Sequence, residues 1–243
     1  MSLHFHSYDE RPELRELKGQ LLEVWPRFML EDAVSERCWG HLYERFGAFQ
    51  HFLVDSENDT LVAEVNSVPV ELDLEALPER GWDEALEKGT TGAGSATVVS
   101  ALQVLISSGW QGQGLSGLCL ERMRETAVAH GFADLVAPVR PIWKERYPLV
   151  PIERYIRWTR PDGRLLDPWL RVHSGLGAEL VGPCRKSMTI AGTVEDWEEW
   201  TGMVFPETGE YVVRGALELV HVDREADLGT YVEPNVWMHH RLQ

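Results

Sequence analysis

The sequence predicts one mixed α/β domain, and three observations carry that reading. Two amphipathic helical stretches open the chain, β-branched runs of strand length recur between turn signals, and a glycine-rich turn joins one such run to a further amphipathic helix. With 243 residues and 44% apolar content the chain can bury a sizeable core.

In order, "DERPELRELKGQLLEVWPRF" predicts a helix capped by Asp9, with Pro12 in its first turn and Leu14, Leu17, Leu21, Leu22 and Trp25 at helical spacing, ended or kinked by Pro26. "SERCWGHLYERFG" predicts a second, capped by Ser35, with Cys38, Trp39, Leu42 and Phe46 on one side and Gly47 as its stop. "FQHFLVDSENDTLVAEVNSVPVEL" reads as strand, polar turn and strand, with Pro69 marking an edge or a bulge. A short helix ending at Gly89 precedes "ATVVSALQVLI", a run suited to a central strand.

Leu115, Leu118, Cys119, Met123 and Ala127 form the apolar stripe of the helix that follows, closed near His130 and Gly131. "FADLVAPV" is another buried strand. Residues 140–168 then carry Pro141, Pro148, Pro151, Pro161 and Pro168 with four large aromatics, Trp143, Tyr147, Tyr155 and Trp158, which reads as a long functional insertion. A helix ending near Gly175 or Gly177, strands in "GAELVG" and "KSMTIAG", a helix capped by Thr193 and two closing strands complete the chain.

The formal charge of −16 argues against general nucleic-acid binding, which needs a basic face. Charge is unevenly spread: from Arg140 to Arg171 eight basic residues (Arg140, Lys144, Arg146, Arg154, Arg157, Arg160, Arg164, Arg171) meet four acidic ones (Glu145, Glu153, Asp162, Asp167). No apolar run reaches the roughly 18 residues of a membrane span, and no charged start leads into an apolar leader, so a cytoplasmic protein is expected. Cys38, Cys119 and Cys184 are widely separated, without a CxxC pair, and the histidines near both ends lack partners at metal spacing. No metal is expected.

Chemistry concentrates in "SSGWQGQGLSG". Gly112, Gly114 and Gly117 spell GxGxxG, which raises a dinucleotide-binding reading, but Asp134 opens the next strand where a ribose-binding acid should close it. A nucleoside-triphosphate loop would need a lysine after the glycines, and none is there. Framed as Gln111, Gly112, Gln113, Gly114, Leu115 and Ser116, the same letters resemble the [QR]xxGx[GA] signature of the GNAT acyltransferase superfamily, and the order of elements over roughly residues 10 to 230 is similar to that family's. The sequence departs from the pattern at Ser116, where Gly or Ala is usual, at Arg140, where many members carry Asn, and at His173, which aligns where a Tyr often serves as general acid.

The resemblance implies a mostly antiparallel central sheet flanked by helices and an acyl-CoA-dependent N-acyltransferase. Its co-substrate would be acetyl-CoA or another acyl-CoA, and its acceptor a small-molecule amine. The amides of the turn at 111–116 would bind the pyrophosphate, and backbone groups of Val104, Leu105 and Ile106 on a splayed strand would pair with the pantetheine arm. His173, Tyr147 and Tyr155 are the candidate proton donors to the departing thiolate; Cys119 reads as helix core. Glu64 and Gln103 lie in candidate strands of undetermined facing. The insertion is expected to shape acceptor specificity, and the protein to be a monomer or homodimer. A non-catalytic acyl-CoA sensor and an NAD-dependent oxidoreductase are the alternatives.

Overall fold

A computed structural model describes residues 2–92 and 94–242. It begins with strand β1 (Leu3–Ser7), continues through short 3₁₀ segments at Pro12–Gln20, Leu22–Val24 and Arg27–Glu31, and reaches helix α1 (Ala33–Arg45). The hairpin β2 (Gln50–Asp55) and β3 (Thr60–Val70) leads to α2 (Gly81–Thr91), β4 (Val98–Ile106), α3 (Leu115–Ala129) and β5 (Asp134–Val139). The insertion contains α4 (Ile152–Tyr155); α5 (Pro168–Gly175), β6 (Glu179–Gly192), α6 (Val194–Thr201), β7 (Gly209–Tyr211), β8 (Val220–Asp223) and β9 (Leu228–Arg241) follow.

The strands make one sheet in the order β1-β2-β3-β4-β5-β9-β8-β7, with β6 on the other edge of β9. Every pairing is antiparallel except that of β4 with β5. The mostly antiparallel sheet flanked by helices is as expected. The dinucleotide-binding reading is overturned, because it requires a doubly wound parallel sheet. One face of the sheet packs α1, α2, α6 and the 3₁₀ segments through Phe28, Leu42, Leu86 and Trp197. The other packs α3, α4 and α5 through Cys119, Met123, Ile152 and Leu170.

Two local expectations are corrected, one edge strand is added, and Pro69 lies at a local edge. The opening helix is a set of 3₁₀ pieces: Gly19 and Pro26 both weaken an α-helix, and docking of Leu14, Leu21 and Phe28 on the core decides the path, leaving Leu17 outside. Residues 3–7 form an edge strand on β2 that short polar letters did not announce. α1 is capped by Asp32, whose side chain accepts from the Ser35 N–H, so Ser35 lies inside the first turn. Pro69 sits in an interior strand, paired with Val99, but β2 has already ended at Gln50↔Asn66, so no neighbour on that side needs the missing N–H.

Candidate active site

β4 and β5 touch over two residue pairs, Val99↔Leu135 and Ser100↔Val136, and then part. β4 continues to Ile106, held on its other edge by β3. From Ala101 to Ile106 the β5-facing edge therefore has no ladder partner, a slot about 20 Å long at roughly 3.3 Å per residue. Val104, Leu105 and Ile106 lie on that edge. The register runs from Ser67↔Ala101 to Asn66↔Gln103, so Leu102 is an extra residue, a β-bulge at the point of parting. Its carbonyl accepts from the Trp82 indole Nε1 at 2.8 Å.

At the end of the slot the chain turns through Gln111–Gly114 into α3. Gly112 and Gly114 have φ of +76° and +80°, a region that favours glycine. The Gln111 amide folds back to the Ile106 carbonyl at 3.2 Å and the Gln113 amide to that of Gly109 at 3.4 Å, pinning the turn to the strand. Where α1, α5 and α6 are capped by the side chains of Asp32, Asp167 and Thr193, α3 has no side-chain cap and no acid in its first turn. Its leading amides and the positive end of a 15-residue helix dipole therefore face outward beside Leu115 and Ser116, a geometry suited to an anion.

The facing lip is charged. At the end of β5, Arg140 donates from Nε to Glu233 Oε2 at 2.9 Å and from its guanidinium to the Gly215 carbonyl at 2.5 Å. The Tyr231 hydroxyl donates to the same Glu233 oxygen at 3.0 Å, and Asn235 reaches the Pro138 carbonyl at 3.2 Å. Two further buried acids come from the helices: Asp32, which caps α1, and Asp83, in the first turn of α2, whose carboxylate accepts from the Thr189 backbone. Asp32 is 0%, Asp83 4% and Glu233 0% exposed, and each keeps one carboxylate oxygen, Oδ2, Oδ1 and Oε1 respectively, with no hydrogen-bond partner. Burial and the neighbouring Asp32 charge push Asp83 up to about 8; burial likewise raises Asp32 and, against the pull of Arg140, Glu233.

The candidate proton donors do not gather at the slot. His173 is buried on α5, its Nδ1 2.9 Å from His240 Nε2, and burial holds its pKa well below the ordinary histidine value. His240 pairs with Leu135, where β4 and β5 are still joined, so His173 belongs to the closed end of the sheet. Tyr155 is also interior: its hydroxyl donates to Asp167 at 2.8 Å, and burial followed by the Asp167 charge raises its pKa. Tyr147, 38% exposed, packs edge-on against Trp158 in the insertion that starts where β5 ends, so it alone of the three is open to solvent.

The insertion is anchored rather than loose. Asp167 accepts from Tyr155, Trp143 N, Trp169 N and Leu170 N, and the fully buried Lys144 donates to the carbonyls of Tyr147 and Leu217. Glu64 and Gln103 enter a buried network: Tyr43 donates to Glu64, and Gln103 reaches Asn66 at 3.0 Å. Cys119 is helix core, as expected. Asp32, Asp83 and Glu233 escaped sequence reasoning. Only Glu233 left a trace, as a lone acid in the apolar run "TYVEPNVWM".

Among curated proteins the chain is similar to the arginine N-acetyltransferase avaD of Aspergillus versicolor, 34% identical with 96% of this chain and 91% of that protein covered. Among solved structures it resembles the loading GNATL domain of CurA from Lyngbya majuscula (18% identity, TM-score 0.66, 100% of this chain and 99% of that one). It also resembles the GphF GNAT-like decarboxylase in complex with isobutyryl-CoA (15% identity, TM-score 0.58, all of both chains). These two likenesses concern the fold. No family model matches the chain.

Proposed function

The chain belongs to the GNAT N-acetyltransferases and is an acyl-CoA-dependent N-acyltransferase, and from that premise we propose that it carries acetyl from acetyl-CoA to an arginine-like acceptor. The observation that carries the donor half is the parting of β4 from β5 beside the uncapped N-terminus of α3. The identity with an arginine N-acetyltransferase supports the acceptor half.

In this reading the pyrophosphate of the co-substrate rests on the amides at Gly112–Ser116, where glycine lets it approach the backbone. The pantetheine arm pairs with backbone groups at Val104–Ile106, taking the place that a neighbouring strand would occupy. This aims the thioester carbonyl at the point of parting near Leu102. There the acceptor nitrogen, made neutral by loss of a proton to solvent, attacks the carbonyl carbon; as the C–S bond breaks the adduct's nitrogen gives a second proton to solvent and the thiolate takes one up. We assign that proton to Tyr147, since His173 and Tyr155 are enclosed. The absence of a disulfide among Cys38, Cys119 and Cys184, all buried, supports a cytoplasmic setting.

The test is incubation of the purified protein with acetyl-CoA and L-arginine, with thiol release followed continuously and the product weighed by mass spectrometry. Equal amounts of free CoA and singly acetylated arginine are expected. Thiol release with other amines and none with arginine would overturn the acceptor; no thiol release with any amine would overturn acetyl transfer.

A further inference from the structure

We propose that Asp32, Asp83 and Glu233 form the acceptor's cation-binding site, a cage of three carboxylate oxygens that receives a guanidinium group; this deepens the arginine-like acceptor reading and rests on it.

A buried carboxylate oxygen without a partner is costly, and three of them near one another need a reason. The three groups come from separate parts of the chain. Trp82, the residue before Asp83, donates its backbone N–H to Ser187 Oγ, and Ser187 precedes Met188, which pairs with Glu233 across β6 and β9. The helix that carries Asp83 therefore starts beside Glu233, and the segment that leads into Asp32 reaches the same strand through Phe28 on Tyr231; the Asp32 charge raises both other carboxyls. The cations around them have other partners: Arg140 holds the second oxygen of Glu233 and the Gly215 carbonyl, and Arg80 and Arg37 both pair with Glu87. None of these satisfies Asp32 Oδ2, Asp83 Oδ1 or Glu233 Oε1.

The location fits an acceptor. Asp83 follows Trp82, whose indole holds the Leu102 carbonyl at the parting of β4 and β5, where the thioester is aimed. The 3₁₀ segment Arg27–Glu31 leads directly into Asp32, and its Phe28 packs on Tyr231, two residues from Glu233. A 3₁₀ segment is held by poorer hydrogen bonds than an α-helix, so this cover is the economical place for an acceptor to enter. Guanidinium matches the cage in kind: it is planar, always charged and presents five N–H donors, and its charge favours the ionised carboxylates, which only accept, so Asp83 releases its proton as the cation enters. A ureido group of the same shape offers fewer donors and no charge.

Calorimetric titration of the CoA-saturated protein with L-arginine and L-citrulline tests the proposal. The wild type is expected to bind arginine about 100-fold tighter than citrulline, and Asp83→Asn and Asp32→Asn each to weaken arginine about tenfold or more with citrulline and CoA affinity unchanged. Asp32→Asn retains a good helix cap, so it reports even if Asp83→Asn should misfold. Equal binding of the two ligands by the wild type, or wild-type arginine affinity in a folded variant, overturns the cage. Arginine that binds in this manner but is never acetylated overturns the acceptor reading alone.

Discussion

The Trp82 indole and the Leu102 carbonyl meet at 2.8 Å, and this bond holds α2 against the bulge where β4 leaves β5. Trp82 is further fixed by its backbone N–H on Ser187 Oγ and by stacking on Trp39 at 5.9 Å. A carbonyl that the sheet has abandoned thus becomes the anchor of a helix that carries a buried acid.

Trp82→Phe leaves that carbonyl unpartnered. A loss of about 1–3 kcal/mol is expected in urea unfolding, beyond what the smaller ring removes from the core. An unchanged midpoint would show that the bond carries no net stability.

Gly114 has open space around its Cα but a φ of +80°, so a side chain there strains the backbone without a clash. Gly114→Val is expected to cost roughly 1–2 kcal/mol of stability. It also holds the pyrophosphate away from the α3 amides, so the CoA dissociation constant should rise well beyond what the stability loss explains. Equal CoA affinity in the variant would remove the turn from the binding site.

Asp83 titrates at about 8 in the fold against an ordinary 3.8. The folded form therefore holds the proton more firmly than the unfolded chain, and stability falls as pH climbs from about 4 to about 8, by up to roughly 1.4 kcal/mol per pH unit. His51 and His240, pushed down to about 4 by burial, act oppositely: the unfolded chain protonates first, and stability falls as pH drops from 6.5 towards 4. Asp83→Asn should reduce the slope above pH 4, leaving the smaller share of Asp32 and Glu233, and be more stable than the wild type at pH 8, whereas His240→Gln should reduce the acid slope that it shares with His51 and His173. Denaturant midpoints between pH 4.5 and 8.5 read both slopes.

Tyr147→Phe should lower kcat about 100-fold or more if its hydroxyl protonates the leaving thiolate. Tyr155→Phe, which loses a single bond to Asp167, should cost about 1 kcal/mol of stability and leave kcat nearly intact. Reversed effects on kcat would exchange the two assignments.

What the sequence disclosed was local. The strand–turn–helix from Val98 to Ala129 was legible because its signals are neighbours: a β-branched run, glycines where the backbone turns left-handed, and a stripe at helical spacing. The Thr193 cap and the helix after it were readable for the same reason. The 3₁₀ path of residues 12–31 was not, since its apolar spacing also suits an α-helix and only docking chooses between them. Still less visible was the burial of Asp32, Asp83 and Glu233: Asp83 looks like any acid in the first turn of a helix, and nothing along the chain says that its carboxyl, or that of Asp32, leaves solvent. His173 misled because a motif fixes a residue's place in a helix, not the neighbour that the helix packs against.

Two rungs, Val99 with Leu135 and Ser100 with Val136, are all that ladder hydrogen bonding provides between β1–β4 and the remaining strands. In its ladder the sheet is two halves joined at a short seam. The glycine turn at 112–114 hangs from the first half, while Arg140, Glu233 and the root of the insertion belong to the second. Both hydrophobic cores nevertheless cross the seam: Val68 and Val98 share one with Met188 and Trp237, and Val62 and Val99 share the other with Leu135 and Val236. Side-chain packing above and below the sheet, and not backbone bonding, therefore sets the width of the slot between β4 and β5.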